Sequence, residues 1–391
     1  MIPKDELIRR RGVLQDRLRD AGLDGALLAH NMSAYYYAGT MQCQYVYIPA
    51  AGECLGLVRK NMARAQDEAG IDLAHMDGFS QLSSLLAERG STPKRLGLEL
   101  DVLPVATYFR INKALPAVEL VDVSTVVREA RQVKSVYELE QFYQAAKQVD
   151  ALHKMVPKLL TEGIEELAFA ARLEFELRKM GHQGTTRMRG FNQEMFFGHV
   201  LSGREGAAAS FLDSPTGGIG LSSVQPQGAG RKKIASHEPV TVDYGGIHNG
   251  YIVDQTRLYS IGTLPDPLTA AFAAALSVQQ AVVDVLKPGA TGAEIYTVAQ
   301  HRAHALGLAD HFMGIGDTQV KYVGHGVGFE FNEFPILAKG SAHVLLENTV
   351  VAVEPKFTFP GLGVVGIENT WHITAKGAVK ISLTADDHVI I

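Results

Sequence analysis

Between Val240 and Arg257, two β-branched runs are joined by Asn249-Gly250, a pair favoured in two-residue hairpin turns because both central residues need positive φ. Such a turn pairs 248 with 251 and so on outward, an odd position always opposite an even one. Asp243 is odd and Asp254 even. Side chains alternate faces along a strand, so both carboxylates project from the same face of the hairpin. A bulge at Gly245-Gly246 would shift that count. Two carboxylates on one buried face repel each other unless a cation lies between them, so the hairpin reads as part of a metal site. The alternative is a pair of surface aspartates beside an ordinary turn.

The chain of 391 residues has room for two or three domains around such a site. A net charge of −5 without a basic run argues against nucleic acid or an anionic membrane as partner. No apolar stretch approaches the ~18 residues of a membrane span, and the N-terminus has no signal-peptide pattern. Cys43 and Cys54 form neither a disulfide framework nor a ligand cluster, which fits a reducing compartment and a cytoplasmic location.

Taken in order, the chain begins with an amphipathic helix from Pro3 to about Ala21, stopped by Gly22. Strands are expected over Asp24 to His30, Cys54 to Val58 and Leu96 to Leu100, with a helix from Asn61 to Gly70. Alternation of this kind implies an α/β domain over residues 1–130. Tyr35, Tyr36 and Tyr37 read as an aromatic edge of its core. A long helix-forming run from Glu129 to about Leu160 opens the second domain, residues 131–391. Within it, the segment from Thr161 is faintly echoed by the one from Lys287, each a glycine turn before an amphipathic helix. Ser214 to Gly230 reads as a loop without the lysine and strand–helix setting of a phosphate-binding loop.

Three later motifs supply the remaining ligand types. His325 lies in Gly324-His325-Gly326, Glu354 ends a strongly apolar strand, and Glu368 follows the return strand. A buried glutamate needs a partner, and neither strand carries an arginine. Four carboxylates and one imidazole would cage two divalent ions, the charges cancelling. A water bridging two such ions becomes hydroxide near neutral pH and serves as a hydrolytic nucleophile.

The order Asp243, Asp254, His325, Glu354, Glu368, with its neighbouring residues, resembles the pita-bread metallopeptidases: methionine aminopeptidase, aminopeptidase P, prolidase and their relative creatinase. The resemblance spans essentially the whole chain. The segment Glu129 to Ser135 resembles the opening of the catalytic domain in the proline-specific branch. It implies an α+β fold, a pita-bread domain with internal pseudo-two-fold symmetry preceded by a smaller creatinase-type α/β domain. It further implies manganese, cobalt, zinc or iron at the five ligands, a homodimer, and hydrolysis of Xaa-Pro peptides.

The chain departs from that pattern at three places. Ser210 and Asn332 stand at two positions where the proline-specific relatives carry histidine, and Gly366 stands at an arginine position. Such groups hold the substrate carbonyl and leaving group, so their loss bears on peptide cleavage rather than on metal binding. Candidate replacements are Lys356 and His199, with Asn332 and Glu333 beside the histidine block. Lys356 is expected opposite Gly366 on the metal face, as an anchor for a substrate carboxylate or as an acid–base group; the alternative is a solvated strand-end lysine. His199 either restores an imidazole near the site or is a core histidine satisfied by its neighbours. Arg187 and Arg189 are further candidates for an anionic substrate group, with surface charge as their alternative. The reading that follows is a peptidase-like hydrolase of short peptides. Two alternatives stand beside it: a metal-dependent hydrolase or lyase of a small non-peptide metabolite, and a binding module that lost catalysis.

Overall fold

Short apolar runs separated by glycine and proline turns become a six-stranded sheet in the first third of the chain. In a computed structural model describing residues 1–90 and 92–391, the strands are β1 (Gly25–Leu28), β2 (Cys43–Pro49), β3 (Leu55–Val58), β4 (Asp72–His75), β5 (Arg95–Leu98) and β6 (Glu119–Asp122). They lie in the order β4-β3-β2-β1-β5-β6, with β2 antiparallel to both its neighbours and the other pairs parallel. The opening helix runs Lys4–Asp20, and the three tyrosines sit in a helix, Asn31–Ala38, that buries Tyr36 and Tyr37. Met1–Arg131 together with Gly190–Asn192 form this compact unit; Gln132–Arg189 and Gln193–Ile391 form the second.

The helix expected from Glu129 is interrupted. One helix ends at Ala130, and the next, Val136–Leu159, starts only after Ser135, whose hydroxyl accepts the Glu138 amide in a capping box. A serine that caps ends the helical reading on its N-terminal side, which composition alone does not reveal. The two echoing segments each fold as a 14-residue helix, Glu166–Lys179 and Gly292–Ala305.

Three sheets make up the second unit. β7 (Gly198–Ser202), β8 (Val240–His248), β9 (Tyr251–Ser260) and the C-terminal β17 (Val389–Ile390) form one, in the order β17-β9-β8-β7. A second, ordered β11-β10-β12-β15-β16, contains β10 (Tyr322–Gly326), β11 (Glu333–Ala338), β12 (Val350–Val353), β15 (Asn369–Thr374) and β16 (Gly377–Lys380). The third is the pair β13 (Lys356–Phe359) and β14 (Gly363–Gly366). Helices Asp266–Val283 and Gly292–Ala305 cover an apolar core that includes Val351, Val353, Phe357 and Ile373.

Gly245 and Gly246 do not form a bulge: the β8–β9 ladder runs unbroken from Val240↔Tyr259 to His248↔Tyr251. Gly246 is there because the hairpin lies against helix Val136–Leu159, and a Cβ would stand 2.3 Å from the Ala145 carbonyl oxygen. Opposite this contact His182 donates to the Gly245 carbonyl at 3.2 Å, accepts the Gly184 amide at 3.0 Å and stacks on Phe197.

Two outcomes follow for stability. Gly246→Ala is expected to lose about 1–3 kcal/mol in urea unfolding with unchanged slope, from overpacking against the helix backbone. Burial pushes the His182 imidazole down to about 4. Its neutral form is therefore favoured by folding: the stability it brings is intact above its unfolded value of ~6.5 and is lost as pH falls from there towards 4. Unfolding free energies measured across that window should fall with pH, by at most ~1.4 kcal/mol per unit from this group, and His182→Gln should flatten the fall.

Candidate active site

The aspartate hairpin carries the first wall. His199 on β7 pairs with Asp243 on β8, and Asp243 pairs with Thr256 on β9, so the three side chains form one row across the sheet. Asp254 stands opposite Gly245, two residues from that row on the same face, as the turn geometry requires.

The second wall comes from one long hairpin that changes sheets. Val353↔Asn369 in β12–β15 and Lys356↔Gly366 in β13–β14 share a single register, so Glu354 and Glu368 face each other at the break between the ladders. Pro355 has no N–H to continue the ladder, and the freed backbone turns to other strands. The Glu354 amide donates to the Val323 carbonyl on β10, and the Glu368 amide to the Thr256 carbonyl on β9. His325 on β10 lies opposite Ala352, which places it on the face of Glu354 two residues further on.

These elements bring all five candidate ligands together. His325 Nε2 is 3.4 Å from Glu354 Oε1 and 3.9 Å from Asp254 Oδ2. Asp254, His325 and Glu368 each offer one ligand atom within 4.8 Å of the others. The glycines flanking His325 let the neighbouring strands approach. A Cβ on Gly324 would meet the Ala352 carbonyl oxygen at 2.2 Å, and one on Gly326 the Phe334 carbonyl oxygen at 2.2 Å.

Lys356 is opposite Gly366, as expected, and is buried rather than solvated, at 1% exposure. Its ammonium donates to Asp243 Oδ2 at 3.0 Å, Glu354 Oε2 at 2.9 Å and Glu368 Oε2 at 3.0 Å. All three donors are spent on carboxylates, so none is left to anchor a substrate carboxylate while these bonds hold.

The electrostatics divide Asp254, Glu354 and Glu368. Burial opposes ionisation of Glu354, but Lys356 and His325 outweigh it and hold the carboxyl down to about 2. Glu368 is pushed up to about 7, first by burial, then by Glu354 and Asp243 against the pull of Lys356. Asp254 is driven well above the usual carboxylate range by burial, then by Glu368, Asp243 and Glu354. Burial alone would depress His325; the Glu354 hydrogen bond and charge reverse this and raise it. Glu368 Oε1 is buried without a partner. A hollow whose acids are short of positive charge, with an orphaned carboxylate oxygen beside an imidazole, fits a divalent cation.

His199 is 5% exposed, and neither ring nitrogen has a hydrogen-bond partner, so it is not a satisfied core histidine. It stacks on Phe196, and burial lowers its pKa, leaving a neutral ring in line with Asp243. Asn332 and Glu333 hold the surroundings. The Asn332 amide accepts the Arg189 N–H at 2.7 Å and donates to the Arg189 carbonyl at 2.8 Å and to Gln193 at 3.2 Å. Glu333 pairs with Lys134 at 2.9 Å through one oxygen and accepts the Phe329 amide at 2.8 Å through the other. Ser210 donates to the Pro226 carbonyl at 2.6 Å. Arg189 is buried and Arg187 half-buried; neither is a plain surface charge.

Metallopeptidase family M24 matches residues 140–375, and the creatinase/prolidase N-terminal domain matches residues 10–133. The chain belongs to metallopeptidase family M24. It is 28% identical over 390 residues to an uncharacterized peptidase, YqhT, of Bacillus subtilis, covering 97% of this chain and 99% of that protein. It is 25% identical over 365 residues to the Xaa-Pro dipeptidase of Pyrococcus furiosus, covering 93% and 94%. Among solved structures, the Xaa-Pro dipeptidase from Bacillus anthracis superposes with a TM-score of 0.84 at 25% identity, over 98% of this chain and 100% of that one. The prolidase from Pyrococcus horikoshii OT3 gives 0.80 at 24% identity, over 96% and 99%. The architecture is that of a creatinase-type N-terminal domain followed by an M24 domain, and membership implies divalent metal cofactors. Among the described residues no helix is long and apolar enough to cross a membrane.

Three supporting residues, two of them within the hairpin motif, carry no role that the sequence reveals. Thr256 donates from Oγ1 to Glu368 Oε2 at 2.9 Å, and Thr370 Oγ1 donates to the Asp254 carbonyl while accepting its amide. Arg257, buried, donates to the Glu368 carbonyl at 2.8 Å and to Asn369 and Asp386. Extending the period-two reading of the hairpin by one pair would have reached Thr256. Arg257 signals itself only as a charge in an apolar strand. Thr256→Val should weaken divalent-metal affinity about 10–100-fold, read by metal titration, because Glu368 loses the bond that orients it.

Proposed function

We propose that this M24 metallopeptidase hydrolyses short peptides at Xaa-Pro bonds with Asp254, His325 and Glu368 as metal ligands. The observation that carries this is the meeting of those three side chains around an unpartnered buried oxygen of Glu368, in a chain of this family. Asp254, His325 and Glu368 would hold a divalent ion, which would supply Lewis-acid polarisation of the scissile carbonyl and a more acidic water. His325 Nδ1 donates to the Gly326 carbonyl at 3.3 Å, which orients the ring and leaves Nε2 for the ion, and Thr256 and Arg257 fix Glu368. His199, neutral and with both nitrogens unspent, is assigned the hydrogen bond to substrate that the family's histidines make. Asn332 and Glu333 are assigned to holding the loop at Arg189 and the start of β11, not to the chemistry. The resemblance brings with it two ions of manganese, cobalt, zinc or iron and a homodimer, and the two unpaired cysteines favour a cytoplasmic setting; Asp243 and Glu354 complete the ligand set in the two-ion form, and manganese is the metal to try first.

A second reading, hydrolysis or cleavage of a small non-peptide metabolite, draws on the two substituted positions. Ser210 and Asn332 are both tied into loops, through Pro226 and Arg189. A panel of Xaa-Pro dipeptides and tripeptides, assayed with added manganese, separates the two. Proline-directed turnover is expected, removed by chelation and reduced at least ~100-fold in His325→Ala. A fully metal-loaded protein that turns over none of the peptides would exclude the peptidase reading in favour of the second.

A further inference from the structure

Lys356 bears on how many ions this centre takes, an inference that rests on the metallopeptidase reading above. The lysine stem crosses β14 so closely that a Cβ on Gly366 would lie 2.6 Å from Lys356 Cγ. Its ammonium then reaches three carboxylates from separate parts of the chain, Asp243 on β8 and the facing Glu354 and Glu368. One positive group bridging oxygens from separate elements is the role of a metal ion in such a cage. An ion bound to those oxygens at about 2.0–2.2 Å would share the hollow with the ammonium, and two cations there repel. Glu368 divides between two positions: Oε2 already serves the lysine, whereas Oε1 is buried and unpartnered, and Asp254 and His325 have ligand atoms close by.

We propose that the Lys356 ammonium replaces one ion of a paired centre, so that each chain takes up a single divalent cation at Asp254, His325 and Glu368. Asp243 then serves the lysine, and part of the positive charge facing the substrate is built into the polypeptide and cannot be chelated away. Gly366 leaves room for the lysine stem and equally for the backbone beside it, since a Cβ there would also lie 2.7 Å from the Pro355 carbonyl oxygen.

The test counts metal. The full-length protein is incubated with excess manganese, freed of unbound ion by gel filtration, and analysed by plasma mass spectrometry and electron paramagnetic resonance. Lys356→Gly, which reopens the hollow, and Lys356→Met, which keeps the stem and removes the charge, are treated alike. The wild type should hold one ion per chain with the six-line spectrum of isolated manganese. Lys356→Gly should hold two with a spin-coupled spectrum, and its melting temperature should rise more on loading than that of the wild type. Two ions in the wild type would overturn the proposal and leave the metallopeptidase reading standing; none would overturn both. One ion in the wild type and in every folded variant would also overturn the replacement. Should neither variant fold, two ions or a coupled spectrum in the wild type still refutes the proposal, and one uncoupled ion upholds it.

Discussion

Carboxylates gathered in one hollow repel one another, and those that are buried lose the hydration that keeps them charged in water. Asp243, Asp254, Glu354 and Glu368 are in that situation, and the structure around them is organised to hold them there. Lys356 meets three of the four, and His325 meets Glu354. What these two leave uncompensated is visible in Asp254 and Glu368, the acids whose ionised forms are penalised. A divalent cation is the group that removes the penalty, and the family to which the chain belongs supplies one.

Holding the acids in place requires rigid supports from separate parts of the chain. Backbone amides of Glu354 and Glu368 leave their own hairpin at Pro355 and bond to Val323 and Thr256, which draws the five-stranded sheet and the aspartate hairpin to one point. Arg257 fastens the Glu368 backbone from behind with a fan of hydrogen bonds to Asn369, Thr384, Ala385 and Asp386. Removing one partner of such a buried network leaves unpaired charge, whereas the intact set fixes geometry. Glycines do the complementary work, letting strands and helix approach at Gly246, Gly324 and Gly326.

How much of this is legible in the residues follows from which parts obey local rules. The two-residue turn at Asn249-Gly250 sets the parity of its hairpin, so Asp243 and Asp254 fall on one face in sequence and structure alike. Parity also puts Glu354 against Glu368 and Lys356 against Gly366, although the ladder breaks between these pairs. The direction of the lysine stem is not a local property. It depends on Asp243, 113 residues away, and a strand-end lysine has the same sequence whether it points to water or to three acids. The same holds for the start of helix Val136–Leu159, where capping by Ser135 overrides a run of good helix formers. The substituted positions Ser210 and Asn332 are legible as departures, but their ties to Pro226 and Arg189 come from loops that carry no periodic signal.

The central claim is that the cluster exists to hold a cation at Asp254, His325 and Glu368 with the lysine beside it. Anomalous diffraction from crystals grown with manganese tests this directly. One strong peak is expected among those three side chains, with the Lys356 ammonium still bonded to Asp243. No peak at that place, or a pair of peaks with Lys356 expelled from the hollow, would contradict it.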